Sequence, residues 1–478
     1  MGKCRTLQKK YQPIPLFCCK FASANEATDI KPAKIHLNKT KMKSKNVSIL
    51  RLLLLAVLLS TASCLKAQIR GNNIVVTVEP DHKDWNYRVG ETAGFTVEVR
   101  RSGTLVDNVS VDYEAGPEMY PSEKRQGVVL KDGTMKHKGK MQKPGFYRLK
   151  VVAHVGGRDY TGTCTAAFSP EQLQPTTVMP ADFDSFWKKA IEEARWTSLE
   201  PTKRLLPERS TKDVNVYEVS FQNMRWGSRT YAILCVPVKE GRYPALLRVP
   251  GAGVRPYQGD PWTAAKGVIV LEIGIHGIPV TMEQSIYDQL ANGALNGYWN
   301  YGMDDRDQSY YKRVVLGCIR AIDYIEEFTP WDGKNLAVTG SSQGGFLSLA
   351  TAGLDKRVSC YGAVHAALCD HTASLKGVAC GWPHYFYQSN KAAKEQSNRV
   401  ETSRYYDGVN FARRITCPGW FSFGYNDDVV PPTTAYATYN IVTAPKTLSP
   451  YQQTAHFWYQ EQWDEWQAWI LKQLGIDN

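Results

Sequence analysis

The sequence has no cysteine pattern that could staple a fold. Of its 11 cysteines, the seven beyond position 67 (164, 235, 318, 360, 369, 380 and 417) are scattered and odd in number, with no C-x-x-C and no paired Cys/His spacing. A disulfide framework and a structural metal site therefore lack support, and most of these thiols are expected as small buried hydrophobes, with a Cys369 to Cys380 bridge the one pairing left open. No metal or other cofactor is expected. A basic surplus is also missing from the body of the chain. The net charge is +12, but residues 1 to 67 carry 13 Lys and Arg against 2 Asp and Glu, which leaves 45 against 44 in the remainder. That balance argues against a nucleic-acid partner, whose phosphates need basic charge gathered on the folded surface. The sequence also lacks an apolar run long enough for a comfortable membrane span and any repeat of propeller-blade length.

What the N-terminus does contain is a basic stretch, Lys41-Met42-Lys43-Ser44-Lys45, then an apolar run from Ile49 to Leu59, then small residues. This order of charge, apolar core and processing site is that of a secretory signal, so an exported protein, periplasmic or extracellular, is expected. Cleavage after Ala67 fits a small residue at the site. Cys64, behind Thr61-Ala62-Ser63, is the weaker lipoprotein-type alternative, because the apolar residue usual three places earlier is absent; it would leave a lipid anchor. Met42 is a second candidate start.

From about 70 to 167 the chain alternates polar and apolar residues with a period of two, as in Val75-Val76-Thr77-Val78, Phe95 to Val99, Val109 to Tyr113 and Tyr147 to Val152. With turn signals at Asp132-Gly133 and Gly156-Gly157, this predicts an immunoglobulin-like β-sandwich over 68–168, which could bind glycan but is favoured as a brace. Residues 169–180, opening on Ser169-Pro170, read as a linker. Over 181–478 the pattern changes to short apolar strands alternating with helical spacing: Tyr231 to Val236, Ala245 to Val249, Val268 to Ile273, Leu336 to Thr339, Val358 to Val364 and Trp420 to Phe423. Strands apolar throughout, separated by helices, predict a mostly parallel sheet covered on both faces.

Within that region Gly340-Ser341-Ser342-Gln343-Gly344-Gly345 follows an apolar strand and precedes an apolar helix. A G-x-S-x-G turn in this context lets strand and helix pass close together and lifts the central serine clear, which makes Ser342 the candidate nucleophile and the fold class α/β-hydrolase. Ser341 fails the same test, since Thr339 and Gln343 would flank it. A serine hydroxyl needs a base, and the base an orienting acid, arriving in this fold in the order Ser, acid, His. His456 precedes an amphipathic terminal helix, and Asp427 or Asp428 ends the strand from Trp420; spacing does not choose between the two acids. His365, His371 and His384 come before that loop and break the order, so they are expected as surface or satisfied polar positions.

The run Gly424-Tyr425-Asn426-Asp427-Asp428-Val429-Val430-Pro431-Pro432 resembles the acid loop of the acetyl xylan esterase and cephalosporin C deacetylase family, carbohydrate esterase family 7. Asp182-Phe183-Asp184-Ser185-Phe186-Trp187, Tyr310-Tyr311-Lys312-Arg313-Val314 and the elbow itself agree, so the resemblance spans about 180 to 478. It selects Asp427, four residues before the Pro-Pro pair, as the acid. It implies a serine esterase acting on acetylated carbohydrate, and oxyanion donors from the backbone N–H of Gln343 and of Ala252 in the loop Pro250-Gly251-Ala252-Gly253. Here the chain departs from the family's His-Gly-Tyr-Asn. Ile275-His276-Gly277 stands in place of its Arg-Gly-Gln, and His456-Phe457 in place of His-Glu, departures that bear on the acyl preference. The family tends to form hexamers, a packing that an added sandwich would obstruct, so a homo-oligomer stays open. Substrate contacts are expected from His276, Trp299, Tyr301 and Trp382, whereas Trp463, Trp466 and Trp469 are expected in the core. The alternatives are a prolyl-oligopeptidase-like peptidase and an inactive glycan-binding protein.

Overall fold

The computed structural model describes residues 73–387 and 397–476. The N-terminal stretch read as a secretory signal and Cys64 lie outside these residues, and no helix among the described residues is long and apolar enough to cross a membrane.

The first nine strands form two sheets. One joins β1 (Ile74–Pro80) and β7 (Thr134–Lys140) to the two sides of β3 (Thr92–Arg101), with the short β4 (Thr104–Leu105) at its end. The other runs β2 (Asn86–Tyr87), β9 (Arg158–Phe168), β8 (Gly145–Val155), β5 (Val109–Pro117), β6 (Glu123–Leu130). Period-two alternation builds the core between them: Val97 and Val99 of β3 face Leu149, Val151 and Ala153 of β8 in one buried cluster. The expected sandwich is present. Its polar members β6 and β7 carried no sequence expectation, because mostly exposed strands such as β6 have no apolar face to reveal them.

The remaining strands form one nine-stranded sheet in the order β10 (Thr202–Leu205), β11 (Val214–Gln222), β12 (Arg229–Pro237), β14 (Ile269–Ile273), β13 (Tyr243–Arg248), β15 (Trp331–Ser341), β16 (Cys360–Val364), β17 (Gly419–Ser422), β18 (Lys446–Leu448). From β14 to β18 all pairs are parallel; β10, β11 and β12 add an antiparallel edge. Alternate residues of single strands feed opposite faces. Ala245 and Leu247 of β13, with Leu336 and Val338 of β15, pack with the helices Phe183–Arg195, Tyr310–Phe328 and Gln343–Leu354. Leu246 and Ala337 pack instead with the terminal helix Gln460–Gln473 through Trp466 and Ile470. This is why the strands read as continuous apolar runs, and the architecture is that of an α/β hydrolase. Trp466 is buried, with Trp463 and Trp469 packed beside it, as the core assignment expects. Cys369 and Cys380 are free buried thiols, so the bridge left open by the sequence does not form.

The sandwich packs against the loop that follows β17. Phe146 meets Tyr425 edge-on with ring centroids 5.1 Å apart, and Tyr425 and Tyr436 belong to the sandwich's own core cluster. At the same seam Arg148 pairs with Glu118 at 3.0 Å, with side-chain exposures of 14% and 1%. Glu118 also accepts from the hydroxyl of Thr433 at 2.6 Å. Burial pushes the Glu118 carboxyl up to about 7, against the pull of Arg148 and Thr433.

A carboxyl whose pKa is raised by folding stabilises the fold fully below its unfolded value and loses that contribution as pH rises through the folded one. Wild-type protein is therefore expected to lose on the order of 2 to 3 kcal/mol of stability between about pH 4.5 and pH 7 relative to Glu118→Gln. Thermal unfolding of both proteins across that range checks it; parallel curves would contradict it.

Candidate active site

β15 ends at the elbow, and the chain turns at once into the helix Gln343–Leu354. The turn depends on two glycines. A Cβ on Gly340 would lie 2.5 Å from the Val249 carbonyl oxygen, and one on Gly344 2.4 Å from the same atom. Between them Ser342 takes φ 60° and ψ −121°, a region that side chains other than glycine rarely occupy. Its N–H donates to Val364 O at 2.9 Å and its carbonyl accepts from Ala367 N at 3.0 Å, so the sheet holds the strained residue in place.

Ser342 Oγ stands 3.0 Å from His456 Nε2, and His456 Nδ1 stands 2.8 Å from Asp427 Oδ2. Asp427 is fully buried, and its Oδ1 accepts from the N–H groups of Val429 and Val430 at 2.9 and 2.8 Å. The carboxylate is thus occupied on one side by its own loop and faces the imidazole with the other. Asp428 points elsewhere and lines a cavity of about 570 Å³ at the sandwich seam.

A second histidine, given no role from the sequence, lies in this group. His365 Nε2 is 2.9 Å from Ser341 Oγ, and its ring centroid is 4.4 Å from that of His456. The expectation of a surface or satisfied position is corrected: His365 is buried, its Nδ1 has no partner among the described residues, and burial holds its pKa well below the usual histidine range, so it is neutral. His371 is buried as well, against Tyr385, and is neutral for the same reason. Ser341 and His365 imitate the Ser342 and His456 pair, but among the described residues no carboxylate sits on His365 Nδ1. His365, Asp427 and His456 bring ligand atoms within 4.8 Å of one another, a spacing that a metal ion could bridge, though such an ion would draw His456 away from Ser342.

Gln343 occupies the first turn of its helix, where a backbone N–H has no partner within the helix and is free to donate. Its buried side chain does something the sequence did not announce: Oε1 accepts from the hydroxyls of Tyr298 and Tyr311 at 2.7 and 2.9 Å, while Nε2 donates to Pro250 O at 3.3 Å. The elbow is thereby tied to the loop of Ala252, which passes so close that a Cβ on Gly251 would lie 4.0 Å from Ser342 Cβ.

Of the expected substrate contacts, His276 is fully committed elsewhere. Its Nε2–H donates to Gly253 O at 3.0 Å, and its Nδ1 accepts from Tyr310 OH at 2.6 Å. Burial lowers its pKa to about 4, which keeps it neutral and consistent with one donor and one acceptor. It holds the Pro250 to Gly253 loop through Gly253 O rather than facing open space. Trp299 and Trp382 pack together with centroids 5.1 Å apart and both remain half-buried, and Tyr301 is exposed. Beyond these expected contacts, Phe457, Trp458 and Tyr459, directly after His456, are all exposed, and Trp458 stacks on His365 with ring centroids 5.8 Å apart.

The family described as acetyl xylan esterase (AXE1) matches residues 170–473. Acetyl esterase Axe7A of Xylanibacter ruminicola is 41% identical over 394 residues, covering 81% of this chain and 88% of its own. Among solved structures, an acetyl xylan esterase from Paenibacillus sp. R4 is 27% identical with a TM-score of 0.55, over 63% of this chain and 98% of that one. Acetyl xylan esterase 1 from Thermoanaerobacterium sp. JW/SL YS485 shares the fold at 24% identity and a TM-score of 0.55, over 64% and 97%.

Gln343→Leu would strip the acceptor from two buried tyrosine hydroxyls. A stability loss of about 1 to 3 kcal/mol is expected by urea unfolding, whereas an unchanged midpoint would show that the hydroxyls find other partners.

Proposed function

The chain belongs to the acetyl xylan esterase family, carboxylic ester hydrolases on the α/β-hydrolase fold, and from that premise we propose that it removes acetyl or other small acyl groups from carbohydrate through Ser342, His456 and Asp427. The observation that carries this reading is the unbroken chain from Asp427 Oδ2 to His456 Nδ1 at 2.8 Å and from His456 Nε2 to Ser342 Oγ at 3.0 Å, ending on a strained elbow.

In the proposed cycle His456 Nε2 takes the Ser342 proton as Oγ attacks the ester carbonyl. Asp427 fixes the imidazole with Nδ1–H toward the carboxylate and stabilises the imidazolium that forms. The oxyanion of the tetrahedral intermediate accepts from the N–H groups of Gln343 and Ala252, donors already in place before charge develops. Collapse breaks the bond to the sugar oxygen, which leaves as a hydroxyl with the proton from His456. Water then attacks the acyl-Ser342 ester by the same route and the free acid departs.

Acetylated plant polysaccharide or oligosaccharide is the proposed substrate. The family supports it, and so do accessible aromatic faces, the half-buried pair Trp299 and Trp382 and the exposed run Phe457 to Tyr459 directly after His456, because sugar rings stack on such surfaces. Export is proposed from the basic and apolar N-terminal stretch.

Ser342→Ala is expected to lower kcat on p-nitrophenyl acetate and acetate release from acetylated xylan by roughly a thousandfold or more. Activity near wild type in that variant would sink the assignment.

A further inference from the structure

The proposed catalytic acid is held from the other layer of the molecule. Arg148 lies on β8 of the sandwich, and its Nη2 donates to Asp427 O at 2.8 Å, to Tyr425 O at 3.1 Å and to Glu118 Oε1 at 3.0 Å. Its Nε donates to Thr165 Oγ1 at 2.9 Å, and that hydroxyl donates onward to Asn426 Oδ1 at 3.0 Å. Asn426 Nδ2 returns a bond to Thr163 O at 3.2 Å. Three successive residues of the acid loop are therefore gripped by strands β8 and β9.

We propose that Arg148 is a positioning residue for ester hydrolysis: by fixing the carbonyl of Asp427 from the β-sandwich, it sets the angle at which the Asp427 carboxylate meets His456. The inference rests on the reading of Asp427 as the catalytic acid. The loop's own N–H groups, from Val429 and Val430, bind only Oδ1 and leave rotation of the residue about its backbone unrestrained on the side of the carbonyl. A guanidinium can close that gap because it donates in several directions at once from one rigid plane. Glu118, buried and bonded also to Thr433 N and Oγ1, fixes the guanidinium in turn and ties it to the Pro432–Ile441 helix. The sandwich is then part of the catalytic apparatus without touching substrate.

The cavity of about 570 Å³ lined by Glu118, Arg148, Asn426 and Asp428 reaches this grip from solvent, which permits chemical rescue. The test uses the full chain with Arg148→Ala, Arg148→Lys, Asp427→Asn, and Val97→Ala as a control that weakens the opposite sheet of the sandwich. kcat and KM on p-nitrophenyl acetate are measured with and without millimolar methylguanidinium, beside Tm. Arg148→Ala is expected to lose roughly ten- to a hundredfold in kcat with KM changed by less than about twofold, because the loss is one of alignment. Arg148→Lys should fall between it and wild type. Methylguanidinium should restore Arg148→Ala several-fold and leave Asp427→Asn unrescued, and Val97→Ala should lower Tm with kcat intact. Full kcat in Arg148→Ala overturns the proposal, as does a loss of kcat that Val97→Ala reproduces at a comparable fall in Tm and that methylguanidinium does not rescue. Should Arg148→Ala not fold, Arg148→Lys and Glu118→Gln decide: a fall in kcat at constant KM supports the grip, and unchanged kcat in both overturns it. Full activity in Asp427→Asn would instead remove the underlying assignment of the acid.

Discussion

Ser342 is held at φ 60° and ψ −121°, a conformation that costs of the order of 1 to 3 kcal/mol and persists only where surrounding structure over-determines it. That strain is the constraint on which the rest depends. It requires glycine at 340 and 344, because the Val249 carbonyl passes within 2.5 Å of where either Cβ would stand. It brings the end of β13 and its loop against the elbow, so that a Cβ on Gly251 would lie 4.0 Å from Ser342 Cβ. It also directs that hydroxyl toward the loops leaving β17 and β18, where Asp427 and His456 lie. A parallel sheet places all of these loops at one edge, since every strand from β14 to β18 ends on the same side.

Two further layers keep this edge rigid. Beneath the elbow, Gln343 gathers Tyr298, Tyr311 and Pro250 into one buried knot, and His276 extends it to Gly253 and Tyr310. Beside it, the sandwich grips the acid loop through Arg148, Thr165 and the ring of Phe146. Both are satisfied polar networks at a catalytic rim, where orientation matters more than net stability. The positions that differ from the family's pattern are Ala252 in the loop tied to the elbow, His276 packed behind that loop against Gly253 and Tyr310, and the exposed Phe457 directly after His456.

Much of the fold and the core of the site could be read from the sequence because their signals are local. The elbow is six consecutive residues between an apolar strand and an apolar helix, and the acid and base follow in order. Strands β12 to β17 are visible because burial on both faces makes them apolar over most of their length. What escaped were features whose meaning lies in distant partners. Arg148 is an ordinary polar residue on an alternating strand until Asp427 is folded against it, 279 residues away in sequence. His365 breaks the expected order of residues, and only the sheet brings its ring to His456. His276 was expected to face substrate, since it replaces a family motif near the pocket, but both its nitrogens are taken by neighbours. β10 and β11 lie on the antiparallel edge of the sheet, outside the run of parallel strands that announced the fold.

The adjacent pairs Ser342 with His456 and Ser341 with His365 can be told apart chemically, because a fluorophosphonate probe forms a bond only with an activated serine. The full chain is labelled, digested and sequenced by fragment-ion mass spectrometry across Gly340 to Gly345. One adduct is expected, on Ser342, abolished in His456→Ala and retained in His365→Ala. An adduct on Ser341, or no adduct in a protein that still hydrolyses acetyl esters, would contradict the assignment of Ser342 as the nucleophile.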